Sequence, residues 1–203
     1  MRVYRIPFST NVERVALALG HKGLVVEWAD LDPADRTEVE SLSGQSLVPV
    51  VVQGSDVVAD STAILRYLEE QAPVPPLWPE DPARQAELDV FLDWFNRVWK
   101  RPPNEIEAER SNTEPDESRI AELGRELTGS LDVFEQLLAG RDYLFGEFSA
   151  ADCAVFPFLK YALIHDEHDT EEFHLILREF LVLGDRYPSV EAWVRRVDEH
   201  PRA

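Results

Sequence analysis

Three short stretches of this sequence carry residue types that could bind a small polar molecule or stabilise its charge: Ser9, Val48-Pro49 and Asp60-Ser61. Thr10 and Glu13 have the spacing of a capping box, which predicts Thr10 as the N-cap of a helix and places Ser9 just before it. Free N–H groups and the positive end of the helix dipole favour an anion at such a position. Ser9 is therefore a candidate for stabilising negative charge.

Val48-Pro49 precedes a run of β-branched residues. Because proline cannot donate to a β-ladder, we expect a bend or a sheet edge here, which is the setting of cis prolyl bonds. The N–H and C=O of Val48 would then face outward, where an extended peptide ligand could pair with them as an added strand. The alternative is an ordinary loop-to-strand proline. Asp60-Ser61 opens the next helix, and its alternative role is plain helix capping.

The elements that would position these residues form a small α/β domain over residues 1–71. Strands are predicted at 2–6, 24–28, 50–52 and 57–59, and helices after residue 9, at 32–41 and from residue 60. Gly54-Ser55 predicts a tight hairpin turn between the last two strands. The order β-α-β-α-β-β-α is the thioredoxin-like arrangement.

The composition changes at residue 72, and five prolines within residues 72–82 predict a stiff linker. Residues 83–203 show helical periodicity and no convincing strand, which predicts an all-helical domain. Helices are predicted around residues 88–95, 123–138, 150–164 and 190–197, whereas the charged, proline-bearing segment 101–118 predicts a loop. Ser149 and Asp152 have capping-box spacing, a feature of folding rather than catalysis.

Composition limits the classes of partner. The 203 residues include 20 basic and 39 acidic side chains, for a net charge of −19. This balance argues against nucleic acid or an anionic membrane as the main partner, because both require a positive surface. The single cysteine, Cys153, suits a reducing compartment. With no apolar leader and no long apolar run, we expect a cytoplasmic protein.

The sequence resembles the cytosolic glutathione S-transferase family, in particular its serine-type members, which include bacterial theta, zeta and tau-like proteins. Three features carry the resemblance: Ser9 before a helix that contains Arg14-Val15, Val48-Pro49 followed by Asp60-Ser61, and the Gly146/Ser149/Asp152 capping motif. It covers essentially the whole chain. It implies a thioredoxin-like N-terminal domain followed by an all-α domain, glutathione as cosubstrate without a metal, a small, apolar electrophile, a role in detoxification and a homodimer.

The resemblance also implies roles for individual residues. Ser9 would be the catalytic hydroxyl, which bonds the glutathione sulfur and favours the thiolate over a thiol with an ordinary pKa of about 8.5. Val48, with Pro49 as the cis-proline, would pair with the cysteinyl part. Asp60 and Ser61 would hold the γ-glutamyl end, and Gln45 lies where a contact to the glycyl end is often found.

Two other residues compete with Ser9 for the role in thiol chemistry. Tyr4 lies near the place of the first-strand tyrosine that tyrosine-type members use, although a strand tyrosine is commonly just packed. Cys153 lies within an apolar helix and is interpreted as an inert core residue, which argues against cysteine-dependent disulfide exchange.

Basic residues that could help to bind the anionic glutathione are few, because residues 1–71 contain 6 basic and 11 acidic side chains. Arg5, Arg14, Lys22 and Arg66 are possible helpers, and the sequence singles out none of them.

Two further clusters have weaker interpretations. Trp94, Val98, Trp99 and Arg101 are candidates for an acceptor pocket, with interdomain packing as the alternative. The segment 165–169 and His174 combine histidines with carboxylates as a metal site would, but the dense charge favours a solvated loop.

Binding without catalysis is a second class of function. A member of this fold could bind glutathione, another thiol or a partner protein without catalysis, because a fold does not establish an activity. The resemblance also implies glutathione-dependent peroxidase, isomerase or dehalogenase activity as alternatives.

Overall fold

The computed structural model describes every residue from Met1 to Ala203, and the chain divides into two units. The N-terminal unit holds residues 1–80 together with 199–203, and the helical unit holds residues 81–198. None of the helices combines the length and the apolar character that crossing a bilayer requires.

The N-terminal unit is built on one four-stranded sheet. Its elements are β1 (Arg2–Arg5), α1 (Thr10–His21), β2 (Glu27–Asp30), α2 (Thr37–Ser43), β3 (Val50–Gln53), β4 (Asp56–Ala59) and α3 (Ser61–Gln71). The strands lie in the order β2-β1-β3-β4, with β1 parallel to β2 and antiparallel to β3. Gly54, at φ +61°, forms the β3–β4 turn. The predicted thioredoxin-like order of elements is confirmed.

Alternation of apolar residues builds the core of this unit. Val50 is fully buried on β3, and it packs with Tyr4 of β1, Val12 of α1, Val39 of α2 and Val48. Val48 and Val50 flank Pro49, and Val12 lies three residues after Ser9, so packing of these valines restrains the backbone beside the predicted site residues.

Two predicted boundaries in this unit are wrong. The second strand runs over residues 27–30 rather than 24–28, because Arg2 pairs with Glu27 and Val25 is 95% exposed. The second helix begins at Thr37 rather than at residue 32. The carboxylate of Asp32 accepts the N–H of Ala34 at 2.9 Å and closes a turn instead of a helix.

The helical unit contains no strand and confirms the predicted all-α domain. Its helices are α4 (Pro82–Trp94), α5 (Arg101–Arg110), α6 (Glu117–Gly129), α7 (Leu131–Leu138), α8 (Ala150–Leu159), α9 (Glu172–Phe180) and α10 (Pro188–Asp198). A π-helical segment, Phe95–Trp99, joins α4 to α5. The rings of Phe95 and Trp99 stack 4.6 Å apart at its two ends.

The predicted loop over residues 101–118 is wrong, because most of it is the helix α5. Pro102 and Pro103 lie in the first turn of α5, where a missing N–H is best tolerated. The predicted helix over residues 123–138 is divided at Ser130 into α6 and α7. The helix from residue 150 ends at Leu159 and not at 164, and α9 was not predicted.

The capping box at the start of α8 is confirmed. The Ser149 hydroxyl accepts the N–H of Ala151, and the carboxylate of Asp152 accepts the N–H of Ser149 at 2.9 Å. All ten residues of α8 are buried, including Cys153. The thiol therefore lies in the core of the helical unit, away from solvent.

Candidate functional site

Ser9 is itself the N-cap of α1, so the prediction that Thr10 holds this position is wrong by one residue. The Ser9 carbonyl already accepts the N–H of Glu13 at 3.0 Å, which starts the helix one residue earlier. Its Oγ accepts the N–H of Val12 at 3.3 Å. Because the side chain is only half-buried, the hydroxyl proton is available for a ligand atom.

Ser9 lines an open cavity of about 340 Å³ within the N-terminal unit. Ile6, Pro7 and Phe8 form apolar walls beside it. Phe8 adopts φ +59°, a conformation that is uncommon for a residue with a side chain, and is 44% exposed. The cavity can therefore present a hydroxyl and an apolar surface to the same small molecule.

The peptide bond between Val48 and Pro49 is cis. The β1–β3 ladder begins at Val50, opposite Tyr4, so the peptide groups of Val48 precede the ladder. The Val48 side chain packs into the core cluster with Val12. This arrangement fits the backbone of Val48 as a partner for an extended peptide.

Asp60 is the residue before α3, and Ser61 is its first residue. Both can cap the helix and also contact a ligand. Asp60 adopts φ +75°, and its carboxylate accepts the N–H groups of Thr62 and Ala63 at 2.9 and 3.0 Å. The Ser61 side chain is buried. Asp60 is therefore the N-cap of the helix, and its exposed carboxylate can also meet a ligand ammonium group.

Arg14 is a candidate site residue that the sequence did not single out. Its side chain is only 1% exposed, and its Nη1 donates to Oγ of Ser61 at 3.2 Å. The bond connects α1, which Ser9 caps, to the first residue of α3. The available signal was a charged residue between the apolar Val12 and Val15, but only the packing of α1 on α3 identifies its partner.

The other three basic residues considered for glutathione binding, Lys22, Arg66 and Arg5, make different contacts. Lys22 is buried and donates to Glu69 at 2.6 Å and to the carbonyl groups of Ala72 and Pro75 in the linker. The guanidinium of Arg66 lies 3.8 Å from the ring centroid of Trp78. Arg5, paired with Asp30 at 2.6 Å, lines the Ser9 cavity. Two of the three thus have structural roles, and Arg5 stands beside Ser9.

Tyr4 has a different hydroxyl environment from Ser9. Its side chain is buried, and the phenol donates to the carboxylate of Glu38 at 2.8 Å. Burial, together with this hydrogen bond, raises the pKa of Tyr4 above its ordinary value. A phenol that already donates to a carboxylate is poorly suited to donate to a thiolate as well, which favours Ser9.

Gln45 lies in the loop that follows the left-handed Gly44 at the end of α2. Its N–H donates to Oγ of Ser43 at 3.4 Å, and its carbonyl accepts from the same hydroxyl at 3.1 Å. These bonds fix the backbone and leave a half-buried side chain.

The four acceptor-pocket residues lie in different environments within the helical unit. Trp94 lines a cavity of about 730 Å³ with Phe91 and Phe145, and Val98 is 48% exposed. The indole N–H of Trp99 donates to Ser130 at 2.7 Å, and Arg101 pairs with Glu105 and Glu126. Trp99 is thus the one buried member of the set, and the side chain of Arg101 is 39% exposed.

The residues of the histidine-rich segment 165–169 differ in solvent exposure. Residues 165–168 are exposed, whereas Asp169 is buried and accepts hydrogen bonds from His174 Nδ1 and the Tyr161 hydroxyl, both at 2.8 Å. The rings of Tyr161 and His174 stack 4.5 Å apart. No group of three or more histidine, cysteine, aspartate or glutamate side chains is arranged to hold a metal ion.

Comparison with known protein families gives two matches. The family model for the N-terminal domain of glutathione S-transferases matches residues 3–76, and the model for the C-terminal domain matches residues 117–196. The chain is 33% identical to Glutathione S-transferase Z1 of Arabidopsis thaliana, over 99% of this chain and 88% of the relative. It is 30% identical to the FtsZ-localized protein A of Caulobacter vibrioides, over 75% and 72% of the two chains.

Solved structures agree with these matches. A bacterial zeta-class glutathione S-transferase, maleyl pyruvate isomerase, superposes with a TM-score of 0.75 at 26% identity, covering 98% of this chain and 92% of the other. A tau-class enzyme from mango superposes with a TM-score of 0.81 at 16% identity and supports the fold, covering 98% and 89%. From its sequence, its two family domains and its fold, this chain belongs to the glutathione S-transferase family.

Proposed function

We propose that this protein is a serine-type glutathione transferase, in which the Ser9 hydroxyl donates a hydrogen bond to the glutathione sulfur. The observation that carries the proposal is the position of Ser9, half-buried at the N-terminus of α1 and beside an open cavity. A hydroxyl donor and a helix N-terminus both favour the thiolate form over the thiol. Glutathione supplies the nucleophilic sulfur, which attacks a small, largely apolar electrophile.

The rest of glutathione would be held by the peptide groups of Val48, next to Pro49, and by the start of α3. Asp60 offers a carboxylate to the γ-glutamyl ammonium group, and Ser61 offers its N–H and hydroxyl to the carboxylate. Arg14 orients the Ser61 hydroxyl by donating to its Oγ at 3.2 Å. Gln45 is the proposed contact for the glycyl end. Local donors of this kind suit an anionic ligand in a chain of net charge −19.

A conjugation assay that compares Ser9→Ala with Tyr4→Phe tests the assignment. We expect Ser9→Ala to lose about a hundredfold in kcat/KM, the effect of removing one donor to a developing anion, while Tyr4→Phe stays within a few-fold of the wild type. Ser55→Ala, in the exposed β3–β4 turn, is the matched control. Unimpaired turnover by Ser9→Ala would refute the role of Ser9.

An isomerase is the second candidate activity, favoured by the resemblance to Glutathione S-transferase Z1 and to the zeta-class maleyl pyruvate isomerase. An isomerase would add the glutathione sulfur to a double bond and release it unchanged after bond rotation. Product analysis distinguishes the two reactions, because conjugation consumes glutathione and isomerisation does not. Measuring the glutathione product would likewise identify peroxidase or dehalogenase chemistry.

A non-catalytic role is the third candidate. Two relatives bear names without an enzymatic activity, the FtsZ-localized protein A and a Stringent starvation protein A homolog of Haemophilus influenzae, which is 30% identical over 72% of this chain and 67% of the relative. Retention on a glutathione matrix without turnover of any electrophile would favour this role. Absence of retention would point to another thiol.

We further propose a homodimer, working in the cytoplasm in detoxification. Val90 of α4 is 70% exposed and Val133 of α7 is 40% exposed, and both line the cavity that contains Trp94. An exposed apolar surface of this kind is typical of an interface. We propose that the acceptor binds in the cavity that Ser9 lines, next to the reacting sulfur, whereas Trp94 belongs to the proposed interface.

A further inference from the structure

The segment Glu199–Ala203 packs on the N-terminal unit rather than on the helix that precedes it. The N–H of Ala203 donates to the carbonyl of Ala16 on α1 at 3.2 Å, and its carbonyl accepts from the Trp28 indole on β2 at 3.2 Å. This C-terminal segment is therefore hydrogen-bonded to both α1 and β2.

Gly20 is the residue that allows this close approach. A Cβ atom at position 20 would lie 2.0 Å from the carbonyl oxygen of Pro201 and 2.8 Å from the Cα of Arg202. Real Cβ atoms do not come this near to backbone atoms, so any larger residue would displace the segment. The glycine thus fixes the path of the chain at Arg202.

The path brings the side chain of Arg202 to the cavity that Ser9 lines. Its Nε and Nη2 donate to Oε1 of Glu13 at 3.2 and 3.1 Å, and Nη1 donates to the carbonyl of His200. The side chain is 29% exposed. Arg202 is thus held at the cavity by α1 and by its own segment, far in sequence from the other lining residues.

The charges around the cavity differ from those of the whole chain. Two guanidinium groups line it, each paired with a carboxylate of the same cavity: Arg5 with Asp30 at 2.6 Å and Arg202 with Glu13 at 3.1 Å, so the cavity is balanced in charge. The whole chain, in contrast, has 20 basic and 39 acidic side chains. The apolar side chains of Ile6, Pro7 and Phe8 line the same cavity. The combination fits a ligand with an apolar body and a carboxylate, the anion that guanidinium binds best.

We propose that Arg202 is a specificity-determining residue of the acceptor cavity and selects electrophiles that carry a carboxylate. The proposal rests on the proposed function of Ser9. In the reaction used as a test, the glutathione thiol loses its proton to solvent and the sulfur forms a bond to a ring carbon. Chloride then leaves with the electron pair of the broken carbon–chlorine bond.

The test compares two chloroarenes that differ in charge: 4-chloro-3-nitrobenzoate and the neutral 1-chloro-2,4-dinitrobenzene. We expect Arg202→Gln to lower kcat/KM for the benzoate about tenfold, through KM, and to leave the neutral arene within about twofold. Arg202→Lys should retain part of the preference. Arg195→Gln, at an exposed arginine on α10 that pairs with Glu191, is the control. Equal losses on both arenes, or no loss, would overturn the proposal.

Gly20→Ala provides a second variant that keeps Arg202 in the sequence. Alanine favours helix more than glycine does, so α1 should fold, while the new methyl group displaces the C-terminal segment. We expect the same selective loss on the benzoate as in Arg202→Gln. Unchanged selectivity would contradict the placement of Arg202.

Binding separates this proposal from the proposed function. If the wild type turns over neither arene, the transferase assignment fails, and the unreactive 4-nitrobenzoate is titrated by ligand-observed NMR instead. Binding to the wild type that weakens about tenfold in Arg202→Gln would support the carboxylate site. Absence of binding to the wild type would overturn it.

Discussion

At the scale of residues, the site consists of two hydroxyl groups with different environments at the starts of two helices. Ser9 is half-buried at the start of α1 and faces a cavity. Ser61 is buried at the start of α3 and bonded to Arg14. We propose that the first contacts the reacting sulfur and that the second holds a ligand end. The phenol of Tyr4 donates to Glu38 and fits neither role.

A double-mutant cycle tests the coupling of Arg14 to Ser61. We expect Arg14→Met and Ser61→Ala each to raise KM for glutathione about tenfold, because each removes the hydrogen bond that orients the start of α3. If Arg14 acts through Ser61, the double variant should resemble one single variant rather than show the product of both effects. The measurement is steady-state kinetics at saturating electrophile.

Unfolding measurements on the same variants are the control for this cycle. The rise in KM counts as evidence only in variants that still unfold cooperatively. Fully multiplicative effects on KM, about a hundredfold in the double variant, would contradict an action of Arg14 through Ser61.

The residues of the site could be predicted from sequence where the signal is local. Ser9, Pro49 and Asp60 each lie at a helix start or a strand start, positions with recognisable residue preferences. Arg14 and Arg202 could not be assigned, because their partners lie 47 and 189 residues away along the chain. Contacts at such separations depend on tertiary packing, for which a single sequence has no short-range signal.

At the scale of elements, the type of most helices and strands was predictable and their ends were not. The apolar run that includes Val25 predicts a strand, yet Val25 is 95% exposed and the ladder is displaced toward residues 27–30. Proline and dense charge at residues 101–110 predict a loop, yet the charges form ion pairs. Arg101 pairs with Glu105 within α5, and Arg119 of α6 pairs with the same carboxylate. Tertiary partners outweigh local propensity in both cases.

The capping box of α8 yields a prediction about stability. The Asp152 carboxylate accepts four hydrogen bonds, from the N–H groups of Ser149, Leu144 and the Trp193 indole and from the Ser149 hydroxyl. The substitution Asp152→Asn would turn an NH₂ group toward at least one of these donors. We expect it to lower the free energy of unfolding by about 1–3 kcal/mol.

Urea denaturation measures this effect, and Asp142→Asn is its control. Asp142 is an exposed carboxylate of the same unit that pairs with Arg196 at 3.2 Å. We expect its substitution to change stability little, as for surface ion pairs in general. Equal stability of Asp152→Asn and the wild type would show that the donors find other acceptors.

At the scale of the whole molecule, net charge and exposed apolar surface favour different kinds of partner. The net charge of −19 disfavours polyanions, so an anionic cosubstrate must depend on local donors at helix starts. The apolar surface of α4 and α7, with Val90 and Val133 exposed, is instead the surface that we propose for the dimer interface. Charge could be read from composition, whereas the apolar surface required the helices to be assembled.

Light scattering coupled to size-exclusion chromatography tests the dimer. We expect the wild type to be dimeric and Val90→Glu to raise the dissociation constant about a hundredfold, since an unpaired carboxylate would be buried at the interface. Val182→Glu, at a valine of the same unit that is 63% exposed, should remain dimeric. A dimeric Val90→Glu variant would place the interface elsewhere.

The most direct test of the account is the pKa of the glutathione thiol when it is bound to the protein. Thiolate absorbance in the ultraviolet, titrated in the binary complex, reports this value without any electrophile. We expect a bound pKa well below the free value of about 8.5 in the wild type and Tyr4→Phe, and a return toward that value in Ser9→Ala. The same low pKa in Ser9→Ala and the wild type would contradict the central role of Ser9.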